Sequence, residues 1–226
     1  MTVVTSMESP SCCVSSRSSS QGWKAIRLSN GLVELHLVPE IGGRVIQLTL
    51  GAQEFFYVNR RHAGRIYPAE ENCLASGWKN YGGSKVWPIP QGWSSDAEWA
   101  GTPDPILDGG AYTSEVVDDQ GETAAIHLEG PPDEYTGLTF GREIRIIFQH
   151  SSRVSVRHTM RNTSARSVRW GLWRVTQQKA RPGLSVLAPA ESHRKMSGDQ
   201  DNAIVSLDVK SISCGSTTSI KWPSLP

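Results

Sequence analysis

The strongest constraint on the fold of this chain is a recurrence of short segments in which apolar and polar residues alternate. Val33-Glu34-Leu35-His36-Leu37 and Val154-Ser155-Val156-Arg157-His158 show the pattern most cleanly. A period of two sends successive side chains to opposite sides of an extended backbone, so each run offers one row to a core and one to solvent. The same texture predicts strands over residues 24–28, 32–38, 44–50, 55–58, 112–117, 124–128, 138–148, 154–160 and 168–175. Between them stand Asn30-Gly31, Asp118-Asp119-Gln120-Gly121, His150-Ser151-Ser152 and Asn162-Thr163-Ser164-Ala165, residue types that favour tight reversals. No apolar stripe of helical period survives the spread of 21 Gly and 13 Pro. The expected class is all-β, an antiparallel sandwich.

Three segments break the texture. Residues 1–21 are Ser-rich and aperiodic, which predicts a disordered leader that includes Cys12 and Cys13. Residues 60–108 form a connector rich in Trp, Gly and Pro. Loops beyond about 12–15 residues in a compact domain usually carry function, so the site is expected there. From 181 to 226 the alternation fades, leaving one weak strand at 203–209 and an expected partly folded or divergent tail. The folded domain is therefore expected over 22–180.

Charge and composition narrow the partners. With 23 Lys+Arg against 22 Asp+Glu the net charge is +1, so no global field draws the chain to nucleic acid or anionic membrane. No apolar run approaches the roughly 20 residues that span a bilayer. The first residues lack a basic stretch followed by an apolar one, and four scattered cysteines make no disulfide framework; both point to the cytoplasm. Asn162-Thr163-Ser164 fits a glycosylation sequon but reads as a polar turn. The six histidines form no HxH or HExxH pattern, and GxSxG, GxGxxG and phosphate-binding loops are absent. Neither metal nor cofactor is expected.

The chemistry concentrates in one window. Four of the eight tryptophans, Trp78, Trp87, Trp93 and Trp99, fall within residues 76–99 beside Asn80, Tyr81, Gly82-Gly83, Lys85 and Gln91. A pyranose ring packs its C–H face on an aromatic plane and presents hydroxyls to amide, Lys or Arg groups, so this mixture suits a sugar. Arg44, after Pro39-Glu40-Ile41-Gly42-Gly43, enters a strand with a fork of donors available. Trp170 and Trp173 lie three positions apart and fall on opposite faces of one strand, one toward the core and one toward a cleft. The candidate substrate-binding set is Arg44, Trp78, Asn80, Tyr81, Lys85, Trp87, Gln91, Trp93, Trp173 and Gln177, and the expected partner is a small-molecule carbohydrate.

Taken together, Asn30-Gly31, Pro39-Glu40-Ile41-Gly42-Gly43-Arg44, Asn80-Tyr81-Gly82-Gly83-Ser84-Lys85-Val86-Trp87-Pro88 and Trp173-Arg174-Val175-Thr176-Gln177 resemble an uncharacterised bacterial family related to the galactose mutarotases, or aldose 1-epimerases. The resemblance covers about residues 23–178. It implies a β-supersandwich with a carbohydrate in a concave cleft, and, because such folds are longer than this chain, a form lacking C-terminal strands and only marginally stable. Mutarotases open the sugar ring with a Glu base and a His acid. Here Tyr81 stands where a His would precede the Gly pair, and Trp170 to Gln177 replaces a His-bearing strand. Glu191 is the sole stand-in for the base, so no catalytic residue is assigned. The readings are a carbohydrate-binding domain with doubtful catalysis, an aldose or hexose-phosphate 1-epimerase with a non-standard acid/base pair, and a non-catalytic interaction or remnant domain.

Overall fold

The computed structural model describes residues 12–68, 71, 77–90, 105–147 and 151–179, together with the backbone of 185–190 and 203–208. The described strands, in chain order, are β1 (Cys13–Ser20), β2 (Trp23–Ser29), β3 (Val33–Val38), β4 (Arg44–Leu50), β5 (Gln53–Glu54), β6 (Ser84–Ile89), β7 (Thr113–Asp119), β8 (Thr123–Glu129), β9 (Leu138–Ile147), β10 (Val154–Asn162), β11 (Gly171–Thr176), β12 (Ser185–Ala190) and β13 (Ala203–Asp208). One five-residue helix, α1 (Pro105–Gly109), interrupts them. The class is all-β and the pairings are antiparallel, as the alternation predicts.

The described residues up to Gln178 form one compact unit. Its first sheet runs β1-β2-β3-β4-β6-β11 with β5 beside β4, and its second runs β10-β9-β8-β7. Leu28, Leu35, Leu37 and Val45 of the first sheet meet Ala124, Ile126, Leu128, Ile144 and Ile146 of the second in the inter-sheet core. Burying each Leu or Ile there stabilises by about 1.5–3 kcal/mol. The opposite face of the first sheet is also covered: Trp23, Ala25 and Ile46 pack against Ile41, Val58 and Tyr81 from the connecting segments. Coverage on both faces explains why Arg44, Val45, Ile46 and Gln47 are all buried, with no wet row.

Two glycine pairs make that second covering possible. Gly42 has φ 78°, and a Cβ there would lie 2.0 Å from the Asp108 carbonyl oxygen of α1. Gly82 has φ 94°, and its Cβ would meet the Tyr57 carbonyl oxygen at 2.1 Å. Only glycine combines the left-handed backbone with so close an approach.

Several expectations are corrected. Residues 13–20 of the expected leader are strand β1, and Cys12 is 2% exposed in the core. The Cys12 N–H donates to the Gly121 carbonyl at 2.8 Å, its Sγ to the Glu122 carbonyl, and Val14 N–H to Asp119 Oδ1. An edge strand needs backbone partners more than an apolar row, so its serines hide it from a hydropathy pattern. Residues 55–58 make single-residue bridges, Phe56 to Gln178 and Val58 to Gly82, rather than a strand. The connector 60–108 contains β6 and ends in α1. Beyond Gln178 the described residues belong to a second unit, in which β12 and β13 pair antiparallel. Asn162 Oδ1 accepts from the Ser164 N–H and Oγ–H, making the sequon a side-chain-closed turn.

Candidate functional site

The side of the first sheet that faces away from the second carries most of the candidate residues. β6 points Lys85 and Trp87 that way, β11 sets Trp173 directly opposite Trp87, and Arg44 projects from the start of β4. The segment 77–83 lays Trp78, Asn80 and Tyr81 over them, and α1 inserts Asp108 beneath.

Asp108 is the hub. Its side chain is fully buried, and Oδ1 accepts from Arg44 Nη2 at 2.6 Å, Lys85 Nζ at 2.7 Å and Trp87 Nε1 at 2.9 Å. Oδ2 accepts from Trp78 Nε1 at 3.0 Å. Burial by itself would raise the Asp108 pKa, but Arg44, then Lys85 and the donated hydrogen bonds, reverse that and hold the carboxyl well below the usual carboxylate range. Burial, reinforced by Arg44, pushes Lys85 down to about 7 against the pull of Asp108. Asp108 is therefore ionised at neutral pH while the charge on Lys85 is weakly held.

The remaining donors of Arg44 are also satisfied. Nε donates to the Ile41 carbonyl at 3.0 Å, Nη1 to Gly82 at 3.0 Å and Nη2 to the Asp108 carbonyl at 3.1 Å, while the guanidinium lies 5.3 Å from the Tyr81 ring centroid. Lys85 Nζ sits 3.9 Å from the Trp87 ring centroid and 4.6 Å from that of Trp78, a cation held over two aromatic faces. The indoles form a chain: Trp78 to Trp87 at 5.8 Å and Trp87 to Trp173 at 5.7 Å.

Arg44, Trp78, Lys85, Trp87 and Trp173 thus come together, but they do so around a carboxylate absent from the candidate set. Arg44, Tyr81 and Lys85 are buried, and Trp87 is 6% exposed. Trp78 and Trp173 are half-buried and reach the surface. Tyr81 accepts from the Tyr67 N–H and meets Trp23 edge-on at 6.0 Å; burial raises its hydroxyl pKa. Asn80 Oδ1 accepts from the Gly82 N–H, closing the turn before β6. Gln177 pairs through its backbone, accepting from Tyr57 N–H and donating to Gly83, and its buried Oε1 has no partner among the described residues. Gln91, Trp93 and Glu191 lie outside the described residues. Trp170 and Trp173 do take opposite faces: Trp170 packs beside Phe140 and donates to the Thr136 carbonyl, and Trp173 joins the aromatic chain.

Asp108 carries no sequence signal, since Pro105-Ile106-Leu107-Asp108-Gly109 reads as the exit of a polar connector. Separately, an open cleft of about 800 Å³ is lined by Pro90, Tyr135, Thr136, Arg166, Val168 and Trp170 and holds none of the candidate residues. No group of three His, Cys, Asp or Glu residues suited to a metal occurs among the described residues, and no helix among them is long and apolar enough to cross a membrane.

No curated protein matches the chain significantly. Among solved structures it is similar to the crystal structure of a TPR-domain containing protein from Parabacteroides distasonis ATCC 8503, at 17% identity and a TM-score of 0.44 over 61% of this chain. This chain spans 21% of the length of that protein. A family model described as a domain of unknown function, DUF4380, matches residues 23–214, which take in β2 to β13, the aromatic chain and Asp108, and the chain belongs to that family.

Proposed function

We propose that the chain is a carbohydrate-binding domain of mutarotase-like supersandwich architecture, with the sugar laid on the outer edge of the Trp78–Trp87–Trp173 chain. What carries the reading is a chain of three indoles, two of which, Trp78 and Trp87, are fixed by one buried carboxylate while Trp173 packs on Trp87, so the half-buried rings of Trp78 and Trp173 form a preorganised aromatic shelf. Such a shelf binds with little ordering cost. Asn80 flanks it with amide chemistry suited to hydroxyls.

Binding rather than catalysis follows from the acid–base groups nearest the rings. Asp108 is ionised and engaged by four donor groups, while Lys85 and Tyr81 are buried. All three are thus withdrawn from a ligand on the surface, whereas ring opening needs a proton donor and acceptor within reach of the sugar.

The test is a titration of tryptophan fluorescence and heat of binding against neutral monosaccharides, disaccharides and a hexose 6-phosphate, in wild type, Trp173→Ala and Trp170→Ala. A saturable signal lost in Trp173→Ala supports the shelf. Loss in Trp170→Ala alone transfers the site to the open cleft, and no saturable signal from any sugar ends the carbohydrate reading. Polarimetry on freshly dissolved α-glucose and α-galactose is expected to show no acceleration over buffer; acceleration makes the protein a 1-epimerase.

A further inference from the structure

A second group of basic side chains lies between the two sheets, on the face of the first sheet opposite the aromatic shelf. Arg142 of β9 is 1% exposed and lies in a row with Leu138, Phe140 and Ile144. Its Nη1 donates to the Gly43 carbonyl at 2.8 Å and the Ser84 carbonyl at 2.9 Å, tying one sheet to the other. Its Nε is buried and without a partner among the described residues. His158 of β10 stands directly opposite Arg142 in the ladder, which brings two Cβ atoms on one face within about 4.5–5.5 Å. Both ring nitrogens of His158 are buried and without partners among the described residues.

Arg174 of β11 completes the group. Its same-face neighbours point between the sheets: Leu172 packs beside Val86 and Phe140, and Thr176 Oγ1 lies 3.1 Å from Ser84 Oγ. Arg174 is exposed and stands opposite Val86 in the β6–β11 ladder, which sets it on this face, and its charge lowers the pKa of both Arg142 and His158. It therefore opens the group to solvent along the β11 edge.

The electrostatics differ from those around Asp108. Among the described residues no carboxylate pairs with Arg142, His158 or Arg174. Burial, opposed by Tyr112 and reinforced by Arg174 and Arg44, brings Arg142 down to about 10, and burial with Arg142 and Arg174 brings His158 down to about 4. A buried cation without a counter-charge and with an unmade hydrogen bond is costly unless something else supplies both. A doubly charged anion balances the two guanidinium groups while a neutral imidazole contributes one further N–H. Several oxygens on one centre can serve donors carried by three strands.

We propose that the basic group formed by Arg142, His158 and Arg174 binds a phosphate group, as inorganic phosphate or a phosphomonoester. It is independent of the carbohydrate reading, because it uses the other face of β6 and β11 and none of the three stacked indoles.

The experiment is thermal denaturation and calorimetric titration of the full chain with inorganic phosphate and with glycerol phosphate, at constant ionic strength set by chloride, in wild type, Arg174→Gln and Arg174→Lys. Arg174 is exposed, so its replacement leaves the fold intact. A site predicts a saturable rise in melting temperature beyond the chloride control. Affinity should fall at least about tenfold in Arg174→Gln and recover partly in Arg174→Lys. Phosphate should also raise the His158 ring pKa, read from its imidazole carbon-bound proton signals. Response to inorganic phosphate alone marks a closed pocket and to both probes an open one; either supports the site. A phosphate effect no larger than chloride, an undiminished response in Arg174→Gln, or equal saturable binding of acetate overturns it.

Discussion

The two faces of β6 hold buried positive charge in opposite ways. On the outer face Arg44 and Lys85 share Asp108, and the donors of Arg44 are matched. Between the sheets Arg142 and His158 face Arg174 with no acid and with three nitrogens unmatched among the described residues. The outer cluster is a clamp whose parts satisfy one another. The inner cluster has no such internal match among the described residues, and a phosphate ligand is proposed there from that difference. A buried Arg in a β-sandwich therefore has no single meaning, and the counter-charge beside it decides which meaning applies.

The contrast breaks most readily at the hub. Asp108→Ala strands two buried cations and two indole N–H groups, and the expected loss is about 3–5 kcal/mol in chemical denaturation. A loss below about 1 kcal/mol would show that Asp108 is not the clamp. Arg142→Met, by contrast, removes an uncompensated charge along with its hydrogen bonds, so the two effects offset and the loss without phosphate is expected at about 1–2 kcal/mol. An Arg142→Met loss equal to that of Asp108→Ala would erase the distinction between the faces.

Acid should sharpen it further. His158 has a folded-state pKa of about 4, below its usual value. The unfolded chain thus binds more protons than the folded one between pH about 4 and about 6.5, and stability falls as pH drops through that window. His158→Gln should flatten this part of the melting-temperature profile. Lys85, down to about 7, has the same sign at higher pH: stability rises from pH about 7 toward about 10.4. The smallest effect is expected of Trp173→Ala, whose ring is half-buried at the edge: a loss within about 1 kcal/mol, with sugar affinity abolished.

Alternation was enough to read β2, β3, β8, β9 and β10, because each buries one row against the inter-sheet core. It was silent on β1, where serines supply backbone pairing and Val14, with Cys12 just before the strand, packs inward. It was also silent on β6, whose Ser-Lys-Val-Trp-Pro-Ile run is covered on both faces. The convergence of Trp78, Lys85 and Trp87 was legible from their crowding in the sequence. The way they converge was not, since Asp108 lies 23 residues from Lys85 and 64 from Arg44 and is delivered by the approach of α1 across Gly42. Arg142, His158 and Arg174 sit on three strands and show no joint pattern; periodicity assigns each a face but not a partner.

The sharpest single measurement follows the indole N–H resonances of isotope-labelled protein through a sugar titration. The Trp173 signal should move saturably with sugar, while the Trp78 and Trp87 signals, bonded to Asp108, stay shifted and slow to exchange throughout. Indole signals that no sugar moves, or Trp78 and Trp87 protons exchanging as freely as those of an exposed ring, would contradict an aromatic shelf held from beneath by one carboxylate.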